Sequence, residues 1–289
     1  MIERAHIPVL VKEVLDHLIS ENFKLFIDAT IGGGGHAVSI LEQHSSIRLI
    51  GLDVDEANLG IAKIRLSPFL ERIRLIRGNF RNIKKILEDE GTDAFDAILF
   101  DLGLSMHQLD SKRGFSFYDD SYLDMRMDRQ LKTTAYDVVN HYSLEELERI
   151  ILEYGEDYRA RAIAKAIVYE RKKRHITTAI ELGNLVSRVK GRRGRLHPAT
   201  KVFQAIRIEV NRELENIEMG LNDAVEMCRP GGRIGVISFH SLEDRIVKRI
   251  FREDKRLKTI TKKPIRPSQI EVRQNPASRS AKLRVAEKI

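Results

Sequence analysis

A run of four glycines constrains the fold of this chain more than any other feature. Gly32 to Gly35 follow an apolar run over 25–27, and a second apolar run over 47–52 ends in Asp53. This is the pattern of a βαβ unit. Its glycines let the backbone approach a nucleotide-type cofactor, and the acid on the next strand accepts hydrogen bonds from ribose hydroxyls. Asp53 lies 18 residues after Gly35, close to the roughly 20 expected in such sites.

The glycine-rich turn leaves two cofactor classes open. Read as Gly32-x-Gly34-x-x-Ala37, it fits a dinucleotide such as NAD, and the same turn fits S-adenosylmethionine (SAM). A P-loop does not fit, because no Gly-Lys-Ser/Thr follows the glycines and His36 occupies the place of the phosphate-binding lysine. A turn without a ligand is disfavoured, because successive glycines lose much backbone entropy on folding.

The segment 24–103 alternates strand and helix patterns, which predicts an α/β domain with a mostly parallel sheet. Predicted strands cover 24–30, 47–53, 72–78 and 94–101, and predicted helices cover 36–44, 56–66 and 81–90. The pattern then changes to an irregular, aromatic-bearing loop over 104–132 and to helices with capping boxes at Ser143 and Thr178. We therefore interpret 105–195 as an all-helical insertion domain that recognises RNA, and 1–104 with 196–289 as the cofactor-binding domain.

The α/β pattern resumes after the insertion. Apolar residues at spacings of three and four predict one long helix from 199 to 228, which Pro230-Gly-Gly232 ends. A fifth strand is predicted over 233–239, and Ser241 is predicted to cap the helix that follows. The C-terminal part contains short β-prone pieces at 271–272 and 283–285.

The net charge of +8 is concentrated in two zones. Residues 159–201 (the first basic zone) carry 13 Lys/Arg against 2 Asp/Glu, and residues 245–289 (the C-terminal basic zone) carry 15 against 4. Such concentration on a neutral-to-acidic body indicates a polyanionic partner, most simply nucleic acid.

Other features of the composition exclude several classes of protein. The sequence has no run of 18 apolar residues and no signal-peptide pattern, so we expect a cytosolic protein without a membrane contact. The one cysteine, Cys228, excludes an intrachain disulfide and a cysteine-based zinc site. The nine histidines form no His-x-x-x-His pair, so no metal centre is expected.

Polar residues end four of the predicted strands, where an open α/β sheet binds its ligand. They are Asp28, Asp53, Asp101 and the Ser238–His240 segment. Enzymes that methylate exocyclic amines of bases carry Asp, Asn or Ser at the end of the fourth strand, followed by Pro-Pro-aromatic. Such an amine is a poor nucleophile, and an acceptor beside it stabilises the positive charge that develops as the methyl arrives. We therefore predict Asp101 as the catalytic residue.

The Pro-Pro-aromatic part is missing here, so a ring that clamps the base must come from elsewhere. The candidates are Phe115, Phe117, Tyr118 and Phe239. Methylation at pyrimidine C5 normally needs a cysteine nucleophile. Cys228 instead lies on the apolar stripe of a helix, which is typical of a core residue. An amine is therefore the better target.

Several longer motifs resemble the bacterial RsmH (MraW) family. They begin at His6, Asp28, Asp101, Arg113, Leu123, His197 and Ile237: HIPVL, DATIGGGGH, DLGLS, RGFSF, LDMRMD, HPATKVFQA and ISFHSLEDR. Members of that family are SAM-dependent methyltransferases acting on N4 of a cytidine in 16S ribosomal RNA, near the P site of the decoding centre. The resemblance runs from about residue 6 to 286, and implies a Rossmann-like SAM-dependent methyltransferase fold and small-subunit RNA as the substrate.

The resemblance also implies the cofactor contacts. They would be Gly34, Gly35 and His36 in the loop, Asp53 on the ribose, Phe80 beside the adenine, and Asp101 and Gln108 near the methionine end. This chain departs from many relatives in Leu104-Ser-Met-His-Gln108, where a second serine and often a proline are usual. Two alternatives stay open: an NAD-linked oxidoreductase, and a non-catalytic RNA-binding factor of ribosome assembly.

Overall fold

The computed structural model describes residues 8–191 and 197–289. The chain divides into two compact units. The first unit comprises Met1–Ser105 and Leu214–Ile289, and the second comprises Met106–Glu213. The second unit interrupts the first in sequence and ends at Glu213; the division into a cofactor-binding domain and an insertion over 105–195 stays a prediction.

A seven-stranded sheet forms the centre of the first unit. Its strands are β1 (Leu25–Asp28), β2 (Arg48–Asp53), β3 (Ile73–Arg77), β4 (Phe95–Asp101), β5 (Cys228–Ser238), β6 (Leu257–Thr259) and β7 (Lys282–Lys288). They lie in the order β3-β2-β1-β4-β5-β7-β6. The strands β1 to β5 are parallel to one another, whereas β7 is antiparallel to both β5 and β6. The predicted α/β class with a mostly parallel sheet is confirmed. The dinucleotide-binding order 3-2-1-4-5-6 has no such antiparallel strand between its fifth and sixth positions.

Thirteen α-helices occur within the described residues. They are α1 (Val11–Leu18), α2 (Gly35–Gln43), α3 (Glu56–Arg65), α4 (Ile83–Asp89), α5 (Met106–Asp110), α6 (Ala135–His141), α7 (Leu144–Glu153), α8 (Ala160–Arg171), α9 (Ala179–Lys190), α10 (Thr200–Asn211), α11 (Glu213–Met227), α12 (Ser241–Glu253) and α13 (Gln269–Gln274). Within the part of the chain that the structure describes, no helix is long and apolar enough to cross a membrane.

Helices cover both faces of the sheet, which explains why its central strands are apolar throughout. One apolar cluster joins β4 and β5 to side chains of α4, α11 and α12, such as Leu87, Leu221 and Phe251. The other cluster joins the opposite face to α1, α2 and α3, through side chains such as Leu18 and Ile40. The carboxyl ends of the parallel strands therefore meet at one edge of a rigid layer.

The second unit is helical, as predicted. The capping boxes predicted at Ser143 and Thr178 begin α7 and α9, and a third at Thr134 begins α6. The stretch predicted as an irregular loop over 104–132 contains the short helix α5.

The prediction of one long helix over 199–228 was wrong. Arg212 adopts a left-handed conformation with φ of 52° and separates α10 from α11. The end of α10 bonds within the second unit, since Asn211 accepts a hydrogen bond from the Met127 amide at 2.7 Å. The apolar spacing runs through both helices, so sequence periodicity did not reveal the break or the later boundary.

Two local predictions near the C-terminus also need correction. His240, not Ser241, is the N-cap of α12, and Glu243 completes its capping box. Residues 271–272 lie in α13, because Ser268 caps a helix there. The β-prone piece at 283–285 does form a strand, in the middle of β7.

Candidate active site

The glycine-rich loop forms a tight turn between β1 and α2. Gly32 and Gly34 have φ of 51° and 78°, a region that side chains other than glycine rarely adopt. The Gly34 amide donates to the Ile31 carbonyl at 2.8 Å, and α2 begins at the next residue, Gly35. A Cβ at Gly34 would come within 2.9 Å of Leu66. The turn therefore presents bare backbone and the first amides of α2, which have no partner inside the helix.

Asp53, at the end of β2, fixes this loop through hydrogen bonds. Its carboxylate accepts hydrogen bonds from the Gly32 amide at 3.0 Å, the Asp55 amide at 2.8 Å and Asn58 Nδ2 at 3.1 Å. Asn58 Oδ1 in turn accepts a hydrogen bond from Ser105 Oγ at 3.0 Å. Burial raises the pKa of Asp53 to about 6, although these hydrogen bonds lower it. Asp53 thus stabilises the loop itself, in addition to its predicted contact with a ribose.

Asp28, at the end of β1, is buried at 2% exposure. The Thr30 amide donates to its carboxylate at 3.2 Å. Burial, with smaller contributions from the nearby carboxylates of Asp101 and Asp53, raises the pKa of Asp28 to about 8. Three carboxyl groups from three adjacent strands therefore interact at one edge of the sheet, as the strand-end argument predicted.

Asp101 is tied to both the glycine loop and α2. Its amide donates to Thr30 Oγ1 at 2.6 Å, and its carboxylate Oδ2 lies 3.7 Å from His36 Nδ1. The other ring nitrogen of His36, Nε2, is 2.8 Å from the Val9 carbonyl. Since a carbonyl only accepts, Nε2 carries the hydrogen and Nδ1 faces Asp101. The His36 ring is therefore held between the N-terminal segment and Asp101.

Phe80, predicted beside the adenine, follows β3 and packs edge-on against Phe100, with ring centroids 5.5 Å apart. Gly220 of α11 makes room for it. A Cβ at Gly220 would lie 2.7 Å from Phe80 Cδ2 and 2.8 Å from the Phe80 carbonyl oxygen. The position of Phe80 thus depends on a glycine that is distant in sequence.

The remaining predicted residues lie in the second unit or in the core. Gln108 is buried in α5, and its contact with the cofactor stays a prediction. Phe117 is stacked on His197 at 4.1 Å between centroids, Phe115 is buried, and Tyr118 is 73% exposed. Burial raises the pKa of the Cys228 thiol to about 12, as expected for a core cysteine.

Sequence reasoning missed three residues of the site: Thr30, Asn58 and Gly220. Thr30 and Asn58 orient the predicted acids, and Gly220 admits Phe80. Of the three, only Thr30 lay in a motif that the sequence singled out.

The basic zones are partly neutralised by local ion pairs. In the first basic zone, Lys190 pairs with Asp157, and residues 192–196 lie outside the described part of the chain. In the C-terminal basic zone, Lys282 and Arg284 both pair with Asp244. The charges open to a partner are therefore fewer than the sequence suggests.

Comparison with known proteins identifies the family. The profile of the MraW methylase family matches residues 3–289. The chain belongs to the MraW methylase family. A relative from Persephonella marina, named ribosomal RNA small subunit methyltransferase H, is 53% identical and aligns over 98% of this chain and 99% of its own length. A relative of the same name from Thermotoga neapolitana is 50% identical, over 98% and 95%.

A solved structure of an rRNA methylase from Streptococcus thermophilus is more distant. It is 12% identical with a TM-score of 0.45, over 96% of this chain and 93% of its own. The predicted membership of the RsmH (MraW) family is confirmed by the profile and the close relatives. A methylase family does not fit the NAD-linked oxidoreductase that the glycine pattern left open.

Proposed function

We propose that this protein transfers a methyl group from SAM to N4 of a cytidine in 16S ribosomal RNA, near the P site of the decoding centre. One observation carries the proposal: Asp101, the predicted acceptor for an amine, is joined to the glycine loop through Thr30 and to α2 through His36. The relatives named ribosomal RNA small subunit methyltransferase H support the substrate class.

The residues at the sheet edge fit SAM. Glycines with positive φ leave space for a ligand against the backbone, and Asp53 retains lone pairs beyond its three protein donors for a ribose hydroxyl. The buried carboxyl of Asp28 and the partly buried carboxyl of Asp101 suit a ligand that carries positive charge. We expect Gly34, Gly35, His36, Asp53, Phe80, Asp101 and Gln108 to hold the cofactor, which supplies a methyl group activated by a sulfonium.

Asp101 would act on the amine. Its carboxylate accepts a hydrogen bond from N4 and thereby directs the nitrogen toward the methyl donor. As the N–C bond forms, positive charge would grow on N4, and a fixed carboxylate in a partly buried site would stabilise that charge more than it stabilises the neutral base. The same carboxylate would then accept the proton that N4 loses. The Val9 carbonyl holds His36 through Nε2, and the His36 ring lies beside the Asp101 carboxylate at 3.7 Å.

Exposed cations of α12 would contact the RNA. A groove of about 450 Å³ is lined by Arg245, Lys248, Arg249 and Arg252, together with Glu253 and apolar side chains such as Leu214 and Ile246. Arg249 pairs with Glu218, whereas Lys248 is exposed and Arg252 pairs with its neighbour Glu253. The helix begins at the carboxyl end of β5, so the row of cations extends from the edge that carries Asp101. A basic groove of this kind follows a phosphate backbone.

A methylation assay tests the proposal. Small-subunit RNA, free or in assembled subunits and isolated from cells without this activity, is incubated with SAM and the protein, and its nucleosides are analysed by mass spectrometry. We expect N4-methylcytidine to appear with the wild type and to be strongly reduced with Asp101→Ala. If no methylated nucleoside forms on either substrate, although the protein binds SAM, the non-catalytic RNA-binding alternative replaces this proposal.

A further inference from the structure

The ends of β4 and β5 place Phe239 on the same side of the sheet as Asp101. Asp101 pairs with Ile237 across the two strands, and the Leu102 amide donates to the Ile237 carbonyl at 3.0 Å. Side chains alternate between faces along a strand, so the residues two positions beyond this pair, Gly103 and Phe239, continue the face that carries Asp101. Phe239 indeed packs against the apolar cluster of α1, α2 and α3.

Gly103 lets the Phe239 ring lie against the backbone that follows Asp101. A Cβ at position 103 would be 2.7 Å from Cε2 and 2.9 Å from Cζ of the ring. Contacts below 3.0 Å force a shift, and the obstacle here is a ring packed on the core. The glycine of the Asp101-Leu-Gly motif is therefore needed for the present position of the ring.

A buried carboxylate fixes the backbone of Phe239. Glu243 is 1% exposed, and its Oε2 accepts hydrogen bonds from the Phe239 amide at 2.7 Å and the His240 amide at 3.1 Å. These bonds form part of the capping box of α12. An aromatic side chain has few rotatable bonds, so a fixed backbone gives the ring a defined position at little entropic cost.

Phe115 and Phe117, two of the other aromatic candidates, are less suited to bind a base. Phe115 is buried, and one face of Phe117 is covered by His197 at an interplanar angle of 6° while Phe203 packs edge-on against it. Phe239 is only half-buried, and it belongs to the same unit as Asp101.

We propose that Phe239 is the platform on which the target pyrimidine stacks. The end of β5 would then supply the aromatic ring that is missing from the segment after Asp101 at the end of β4. The proposal rests on the proposed function and names a substrate-binding residue for it. Stacking on an aromatic face uses the flat surface of a base and depends little on its sequence context. The carboxylate of Asp101, two residues before the glycine under the ring, then meets the edge of the base that carries N4.

The test is single-turnover methyl transfer at saturating SAM, together with SAM affinity measured by calorimetry. Phe239→Leu keeps apolar volume but removes the flat ring, and we expect it to lower the rate about 10- to 100-fold, in line with typical stacking energies, without weakening SAM binding. Phe239→Tyr keeps the ring and should stay within about threefold of the wild type. Gly103→Ala should lower the rate by displacing the ring. The double variant Gly103→Ala/Phe239→Leu should be no slower than Phe239→Leu alone.

Phe69→Leu is the matched control, since Phe69 is another phenylalanine packed against the same apolar cluster. It lies before the start of β3, away from the carboxyl ends of the strands that carry Asp101. Its rate should be unchanged. A wild-type rate for Phe239→Leu would overturn the proposal. A loss of SAM affinity in Phe239→Leu as large as its loss of rate would also overturn it, because the ring would then serve only the core. Absence of methyl transfer by the wild-type protein would instead contradict the proposed function.

Discussion

Gly220→Ala should weaken SAM binding through Phe80, although Gly220 itself is not one of the predicted cofactor contacts. In an open helix, replacing glycine by alanine stabilises the protein by up to about 1 kcal/mol, because alanine has the higher helix propensity. At Gly220 the new Cβ would lie 2.7 Å from Phe80 Cδ2 and 2.8 Å from its carbonyl oxygen. Overpacking of this kind costs about 1–3 kcal/mol, so the steric cost should exceed the gain in propensity.

The matched control is Gly60→Ala in α3, where a Cβ would meet nothing within 4 Å. We expect Gly60→Ala to raise the midpoint of urea unfolding and Gly220→Ala to lower it. Because the Phe80 carbonyl belongs to the obstacle, the ring must move with its backbone. A lost contact of about 1.4 kcal/mol corresponds to a tenfold weaker affinity for SAM, which calorimetry would detect. If Gly220→Ala is as stable as Gly60→Ala, the steric argument is wrong. If Gly220→Ala is destabilised and still binds SAM like the wild type, Phe80 has no place in the cofactor site.

Three further predictions concern charge. Because burial raises the pKa of Asp28 to about 8, the folded protein holds a proton that the unfolded chain loses near pH 4. Stability should therefore fall as pH rises from about 4 to 8, and Asp28→Asn should flatten this dependence in urea titrations at several pH values. Asp101→Ala should lower single-turnover methyl transfer about 10²–10³-fold, with Asp101→Asn intermediate and RNA affinity nearly unchanged; an unchanged rate would exclude the role. Replacing both Lys248 and Arg252 by Glu should reduce the slope of log RNA affinity against log salt concentration by about 1.4 in magnitude. The control Lys85→Glu on α4 should leave this slope unchanged.

The meeting of the three acids at the carboxyl ends of the strands could be predicted from sequence, because the topology of the sheet determines it. Apolar runs identify parallel strands, and the carboxyl ends of such strands meet at one edge, so Asp28, Asp53 and Asp101 had to converge. The glycine loop was equally legible, since positive φ at Gly32 and Gly34 needs this residue type. These features depend on local chain geometry and on one rule of fold topology.

Other features depend on contacts between segments far apart in the chain. The fit of Gly220 to Phe80 joins residues 140 positions apart, and glycine in a helix carries no signal of what lies beside it. The Arg212 break falls within an unbroken apolar spacing. The place of β7 between β5 and β6 is set by antiparallel pairing, which a short β-prone piece at 283–285 does not specify. Sequence periodicity gives the type of an element but not its partner.

The acid cluster links the stability of the fold to its proposed cofactor. Burying Asp28 near the carboxyls of Asp53 and Asp101 destabilises the ionised form of Asp28, and its high pKa, about 8, expresses this cost. A ligand with a positive sulfonium and ammonium reverses the balance, since a nearby cation favours ionised carboxyls. SAM binding at pH 7 should therefore release a proton, whereas the demethylated product, without the sulfonium charge, should release less. The carboxyls that lower the stability of the ligand-free protein above pH 4 would thus give SAM a higher affinity than its demethylated product. This difference in affinity would favour release of the product after methyl transfer.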